Sequence, residues 1–369
     1  PERRIGLSAH DFAQALGAEE VILARAAKVA GAPTVASRFV QRIAALAGPR
    51  WGDVLGRGNH YLDYARALDQ PAQVKAAARP APRPKLEARP LRLSVTAIED
   101  WLRDPYTIYA RYILRLQPLD PVDTLPGARD RGTVIHGAIG DFSKNFAAGL
   151  PADPVAELRK LGERHFAPLA DYPEARAFWW PRFLRIADWL ASWDRGRRDK
   201  LAALHAEIRG ELTFPVGTRE FKLSGVADRI ERRLDGRYAI IDYKTGTART
   251  EKQVRTGLAP QLTLEAAILR GGGFKSIASG SVAEIAYVTL KGGKEAGKWL
   301  PIAFKDGTPD SQADHALAKL KALATQFETE TTPYLSLVHP MWKTHYGDYD
   351  HLARVKEWSL SGGADEGEA

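Results

Sequence analysis

"IIDYKTG", residues 240–246, is the stretch on which the fold turns. Its β-branched and apolar residues describe a buried strand, yet it places Asp242, skips one residue and places Lys244. Side chains two apart on a strand share a face, with Cα atoms roughly 6 to 7 Å apart. Burying two ionisable groups is costly unless they pair with each other or serve a ligand. Taken alone, the spacing reads as an ordinary ion pair. Its surroundings change that reading.

Immediately upstream, "LSGVADRIERRLDGRYAIIDYKTG" (223–246) holds two strand-like runs separated by Leu234, Asp235 and Gly236. A two-residue Asp-Gly turn sets Asp242 opposite Arg229, whereas a three-residue loop ending in a left-handed Gly236 sets it opposite Asp228. The second register also pairs Ile230 with Ile240 and is preferred, because it brings two carboxylates together beside Lys244. Like charges so placed repel, and a divalent cation is the usual remedy. Oxygen ligands of this kind suit Mg²⁺, with Mn²⁺ as a substitute, and hydrolysis of phosphodiesters is a common use of such a pair beside a lysine.

Two further features point the same way. In "RGTVIHGAIG" (131–140), Gly132, His136 and Gly140 fall on one helical stripe, so the imidazole is flanked by positions without side chains. Such a stripe permits close approach of a metal or of backbone, although a lone histidine beside a packed helix is the commoner case. In "APQLTLEAAIL" (259–269), Gln261 and Glu265 share a stripe, and a first-turn Gln is placed to meet a phosphate or the lysine.

The whole chain sets the bounds. Its 369 residues exceed one ordinary core, and 53 Lys+Arg against 45 Asp+Glu give a formal charge of +8, compatible with a polyanionic partner. With no cysteine, disulfides, thiolate zinc sites, cysteine nucleophiles and iron–sulfur ligation are excluded, and any metal must sit on oxygen or imidazole. No run of about 18 apolar residues and no signal-peptide pattern occurs, so a cytoplasmic, membrane-free protein is expected. Opening on Pro1 rather than Met, the chain reads as the C-terminal piece of something longer.

Residues 1–69 read as helical, with "EEVILARA" a possible strand, and carry no visible chemistry. Residues 70–93, rich in Pro, Ala and Arg, read as an extended linker. From 94 to 360 a helical half gives way to strands at about 211–245, a helix at 260–270, a strand pair at 282–304 and a helix at 311–329; 361–369 reads as a disordered tail. "GGKEAGKW" has phosphate-loop spacing, but Trp299 stands where Ser or Thr is needed, and it joins two strands, so a hairpin tip is expected. The tryptophans from Trp179 to Trp193 read as core, and "DRGRRDK" (194–200) as a patch for a DNA backbone, although such charge runs are usually just solvated.

The ordered set Gly132 with His136, Glu211, Gly225 to Asp228, Asp242 with Lys244, and Gln261 resembles the motifs of RecB-type nucleases in the PD-(D/E)XK superfamily. With "TAIEDWLRDPYTIYARYILRLQPLD" (96–120) and "YGDYDHLARVKEW" (346–358), the chain is similar to the C-terminal part of the AddB family of helicase-nuclease subunits. The resemblance implies an α/β nuclease core, a mixed central sheet flanked by helices, after a mostly helical remnant of a helicase-like domain. It implies metal ligation by His136, Asp228, Asp242 and the carbonyl of Tyr243, with Lys244 as catalytic lysine and Gln261 beside it. Glu211 corresponds to the upstream acidic position, with Glu207 a weaker candidate. The implied activity is that of a Mg²⁺-dependent exonuclease on single-stranded DNA, fed by an AddA-type helicase-nuclease partner during double-strand-break repair.

Two positions depart from the family pattern. Glu265 replaces the Tyr of the Gln-x-x-x-Tyr motif, and Asp104 stands where many relatives begin an iron–sulfur cysteine set, so no cluster is expected. Packing of 94–116 against the C-terminal "HPMWKTHYGDYDHLARV" must then close the domain. The rival reading is an inactive nuclease fold that holds DNA or docks a helicase partner; the Asp228, Asp242 and Lys244 set argues against it.

Overall fold

The computed structural model describes residues 2–70, 77–119, 124–305, 307–338 and 347–359. The tail expected at 361–369 and the part of the linker at 71–76 lie outside the described residues. Two compact units divide the chain, Pro1–Ala78 with Lys356–Ala369, and Arg79–Val355.

The first unit holds α1 (Glu2–Ala15), a two-residue strand pair β1 (Lys28–Val29) and β2 (Ala32–Pro33), and helices α2 (Arg38–Ala47), α3 (Trp51–Arg57) and α4 (Asn59–Asp69). It is helical, as its alanine-rich amphipathic segments predict. The apolar run at 21–26 is exposed coil rather than a strand.

The second unit is a mixed sheet between two helical layers. In chain order it contains β3 (Arg92–Ser94), α5 (Val95–Arg103), α6 (Pro105–Ile108), α7 (Ala128–Asn145), α8 (Pro154–Phe166), α9 (Pro173–Arg198), β4 (Leu201–Val216), β5 (Arg219–Arg233), β6 (Tyr238–Lys244), α10 (Glu251–Arg255), α11 (Gln261–Arg270), β7 (Val282–Leu290), β8 (Gly297–Pro301) and α12 (Pro309–Gln326). The sheet runs β3-β5-β6-β7-β8, with β4 pairing β5. Helices α5, α11 and α12 bury one apolar cluster with Ile230, Ile240 and Ile285, and helices α7, α8 and α9 bury another with Ile241, Tyr243 and Val288. The alternation of odd and even residues on β6 and β7 thus sorts side chains between two cores. The tryptophans of α9 pack against the second core, as expected.

β5 and β6 are antiparallel with Ile230 facing Ile240. Gly236 adopts φ +82°, the left-handed conformation that a three-residue loop requires, and Arg233 N–H bonds Arg237 O across it at 2.8 Å. β6 and β7 are parallel, joined by α10 and α11, whereas β7 and β8 form the hairpin expected around "GGKEAGKW".

Two expectations need correction. From Arg79 onward the Pro-rich segment is extended but not free. The Arg89 guanidinium bonds the carbonyls of Phe327, Thr329, Glu330 and Thr332, and Pro82 O accepts from Tyr334 N–H at 2.9 Å. Arginine donors meeting a carbonyl-rich loop turn a linker composition into a strap. The charge run at 194–200 is likewise not a free patch, because Arg197 and Arg198 turn inward onto carboxylates.

That inward cluster surrounds Arg229, which is 1% exposed. Its guanidinium donates to Asp194 Oδ1 of α9 at 2.6 Å, to Glu231 Oε1 at 2.7 Å and to Tyr243 Oη at 3.4 Å. Arg197 adds Glu231 and Glu284, and Arg198 adds Asp194. Trp193 covers the Arg229 guanidinium with its ring centroid 5.1 Å away. Every buried charge has an opposite partner, which offsets desolvation and pins α9 to β5 and β6.

Segment 94–116 is tied to the chain's end as the sequence requires. Tyr349 Oη donates to Leu116 O at 2.7 Å, and Arg111 lies between Asp100 and Asp348. Residues 339–346 of that C-terminal region lie outside the described residues. Replacing Arg229 by Met, which keeps the aliphatic stem, leaves Asp194 to Arg198 and Glu231 to Arg197, and strips the Tyr243 hydroxyl of its guanidinium partner. Urea unfolding is expected to show a loss of about 3–5 kcal/mol; a loss near zero would show the network to be dispensable.

Candidate active site

β4 occupies one edge of β5 along almost its whole length, so β3 and β6 share the other edge. β3 pairs with residues Lys222–Ser224 and β6 with Arg229–Arg232. Asp228 falls in the gap where β5 changes partner. There its Oδ2 accepts the backbone N–H of Tyr243 at 2.8 Å, taking over from the ladder.

α7 lies over this gap. His136 Nδ1 stands 3.8 Å from Asp228 Oδ2. The glycine stripe of α7 meets the site as the spacing suggests. A Cβ on Gly132 would come within 3.1 Å of Thr245 Oγ1, and one on Gly140 within 3.0 Å of Glu207 Oε1. The cleft there has a volume of about 650 Å³ and is lined by His136, Asp228, Glu207, Asp141, Lys144 and Arg129, among others.

Asp242 is 2% exposed and engaged from one side. Lys244 Nζ lies 2.7 Å from its Oδ2 and 3.0 Å from its Oδ1. Gln261, the first residue of α11, donates from Nε2 to Asp242 Oδ1 at 2.6 Å, and its Oε1 faces Lys244 Nζ at 3.4 Å. Parallel pairing brings this about: the crossover from β6 returns α11 with its N-terminus at the end of β6. One turn on, Glu265 is wholly buried and accepts from Gln261 Nε2 at 3.2 Å.

Glu211 is not brought to this group. It pairs with Ser224 across β4 and β5 and is held by Arg92 and Lys222. Glu207 stands in the cleft instead, four residues earlier and roughly 13 Å along the strand. The sequence order favours Glu211, but the strand turns Glu207 toward the cleft: Glu207 adopts φ +50° within β4, a strained conformation for a side-chain-bearing residue. The signal for it was Gly140, which leaves room on α7 for that carboxylate.

Negative charge accumulates here. Burial, then the proximity of Asp242, pushes the Asp228 carboxyl well above its ordinary value, with the Tyr243 N–H pulling the other way. Burial, then Asp242 and Asp228, raises Glu265 well above 4.5. Burial also raises Glu207, opposed by Lys144. His136 is lowered by burial, with Asp242 opposing, so the neutral, ligating form is favoured. Nitrogen and carboxylate donors with so little compensating positive charge suit a hard divalent cation. As placed, no three His, Asp or Glu side chains among the described residues stand close enough to hold one, because Asp242 is clasped by Lys244 and Gln261. His136 and Asp228 form the ready pair, and Asp242 Oδ2 has no hydrogen bond despite its short approach to Lys244.

This sheet and site define a nuclease core: the chain belongs to the PD-(D/E)XK nuclease superfamily, whose model matches residues 92–337. Members of that superfamily generally use divalent metals such as Mg²⁺. An uncharacterized protein of Rickettsia bellii (strain RML369-C) is 34% identical over 184 residues, covering 49% of this chain and 22% of that protein. An uncharacterized protein of Rickettsia felis (strain ATCC VR-1525 / URRWXCal2) is 29% identical over 254 residues, 66% of this chain and 29% of that one. A subunit of the ATP-dependent helicase/deoxyribonuclease of Streptococcus agalactiae serotype V is 24% identical over 178 residues, 48% of this chain and 16% of that protein. The chain thus spans less than a third of the length of these relatives. No described helix is long and apolar enough to cross a membrane.

The raised proton affinity of Glu265 has a thermodynamic consequence. In the fold it retains a proton that the unfolded chain releases above about pH 4.5. Its contribution is fully present below that value and fades as pH rises toward the folded pKa. Glu265→Gln, neutral throughout, is therefore expected to melt higher than wild type at neutral pH, with the gap shrinking toward about pH 4. Equal melting curves at both ends would remove the inferred shift.

Proposed function

We propose that the chain is the nuclease part of a helicase-nuclease complex, a Mg²⁺-dependent exonuclease cutting single-stranded DNA at double-strand breaks undergoing repair. The observation that carries the reading is the joining of Lys244, Asp242 and Gln261 beside the His136 and Asp228 pair, which lines the cleft at the seam of the sheet. Similarity to a subunit of an ATP-dependent helicase/deoxyribonuclease supports a helicase partner, proposed to be of AddA type.

His136 and Asp228 would hold the cation, and Asp242 and the Tyr243 carbonyl would complete its ligand set on closing toward that pair. A divalent cation held there supplies charge neutralisation at the phosphate and makes water more acidic. The remaining work falls to side chains. Lys244, anchored by Asp242 and Gln261, offers its ammonium to a phosphate oxygen and to the charge that develops on it. Lys144 and Arg129, lining the cleft, face the DNA backbone. Glu207, with raised proton affinity in the same cleft, is placed to take a proton from the attacking water or to hold charge near it.

Labelled single-stranded DNA with Mg²⁺ tests the reading. Asp242→Ala and Lys244→Ala are each expected to lower cleavage by about 100-fold or more, and chelation to abolish it. Undiminished cleavage by both variants would overturn the site assignment, and absence of cleavage by wild type would leave a DNA-holding module as the better account. Glu207→Gln is expected to lose about tenfold or more, whereas Glu211→Gln stays within about twofold of wild type. The reverse order would return the upstream acidic role to Glu211.

A further inference from the structure

Glu265 has no role in the chemistry described above, yet it is fully buried among the residues that perform it. Its Oε1 is bonded to Gln261 Nε2, and its Oε2 has no hydrogen-bond partner. A buried acid with one oxygen unsatisfied weighs against the fold, so stability does not account for it. Its contact with Gln261 does.

An amide has a donor end and an acceptor end. Gln261 sits with Nε2 between Asp242 Oδ1 and Glu265 Oε1, 2.6 and 3.2 Å away, and with Oε1 toward Lys244 Nζ. Turned end for end, its oxygen would face the Asp242 carboxylate and its NH₂ an ammonium. Asp242 alone would fill only one N–H of the amide; Glu265 fills the other. Either protonation state of Glu265 leaves a carboxyl oxygen able to accept.

We propose that Glu265 is a positioning residue that locks the Gln261 amide with its oxygen on Lys244. The ammonium then spends one N–H on Asp242 and one on Gln261, and presents the third to the scissile phosphate. This inference rests on the nuclease reading of the site.

The test uses the full 369-residue chain as wild type, Glu265→Met, Gln261→Met, the double variant and Lys244→Ala. A thioether at 265 keeps the shape but removes the carboxyl acceptor, so Gln261 is released to turn. On single-stranded DNA with Mg²⁺, Glu265→Met is expected to lower kcat about five- to tenfold with KM unchanged. In the Gln261→Met background the same change is expected to cost nothing further, which a general structural role would not produce. A melting temperature close to that of wild type confirms that the variant folds. Unchanged kcat in the single variant, or additive losses in the double, overturns the proposal. Cleavage lost in Lys244→Ala but intact in Glu265→Met removes only the role of Glu265, whereas cleavage intact in Lys244→Ala removes the nuclease reading itself. A crystal structure of Glu265→Met reads the outcome without turnover: Gln261 turned from Lys244 supports the lock, and an unmoved amide overturns it.

Discussion

The buried guanidinium of Arg229 is the constraint around which the sheet is arranged. It lies on β5 one residue from Asp228, and it reaches Asp194 on α9, Glu231 on its own strand and the Tyr243 hydroxyl on β6. A charge so placed cannot move without leaving a partner unpaired in a medium that stabilises it poorly. The helix, the central strand and the strand carrying Asp242 are therefore held by one group. Its bonds are satisfied only in the register that pairs Arg229 with Ile241. A slip by one residue would turn Arg229 to the opposite face, and with it Asp228.

Held in this way, β5 can serve two partners along one edge, and the interruption between them becomes the site. Backbone groups that a continuous ladder would consume are exposed in the gap, and Asp228 answers one of them through Tyr243 N–H. α7 covers the gap without filling it, because Gly132 and Gly140 yield the space taken by Thr245 and Glu207. The cleft is thus a consequence of strand pairing and glycine placement, with no lid or separate loop needed to shape it.

Much of this was legible in the residues. Gly236 and the two isoleucines gave the register, and the Asp-x-Lys spacing gave the shared face of Asp242 and Lys244, because both follow from local rules of period two and turn chirality. His136 was legible through its glycine neighbours. Glu207 was not given first place, because its position depends on a left-handed kink in a long strand, which no periodicity announces. The arginines of 194–200 look like a solvated run until Glu231 and Glu284, from distant strands, are folded against them. The strap at 79–93 is hidden for the same reason: its acceptors are carbonyls more than 200 residues away along the chain. Composition describes a segment, and long-range pairing decides what it touches.

The two faces of the same strands show why one set of buried charges is structural and the other chemical. Around Arg229, the cations Arg229, Arg197, Arg198 and Arg233 meet the anions Asp194, Glu231 and Glu284, and every anion is paired. Around Asp242, the carboxyls Asp228, Asp242 and Glu265 meet, among the described residues, one lysine, Lys244, and the lowered imidazole of His136, and two of the three are driven toward the protonated form. A closed network has nothing left to offer a ligand. An open one, short of positive charge and with carboxylate oxygens unsatisfied, gains by admitting a cation and a polyanion together, since each neutralises what the other brings. That imbalance, more than any single residue, separates the site from the core one residue away.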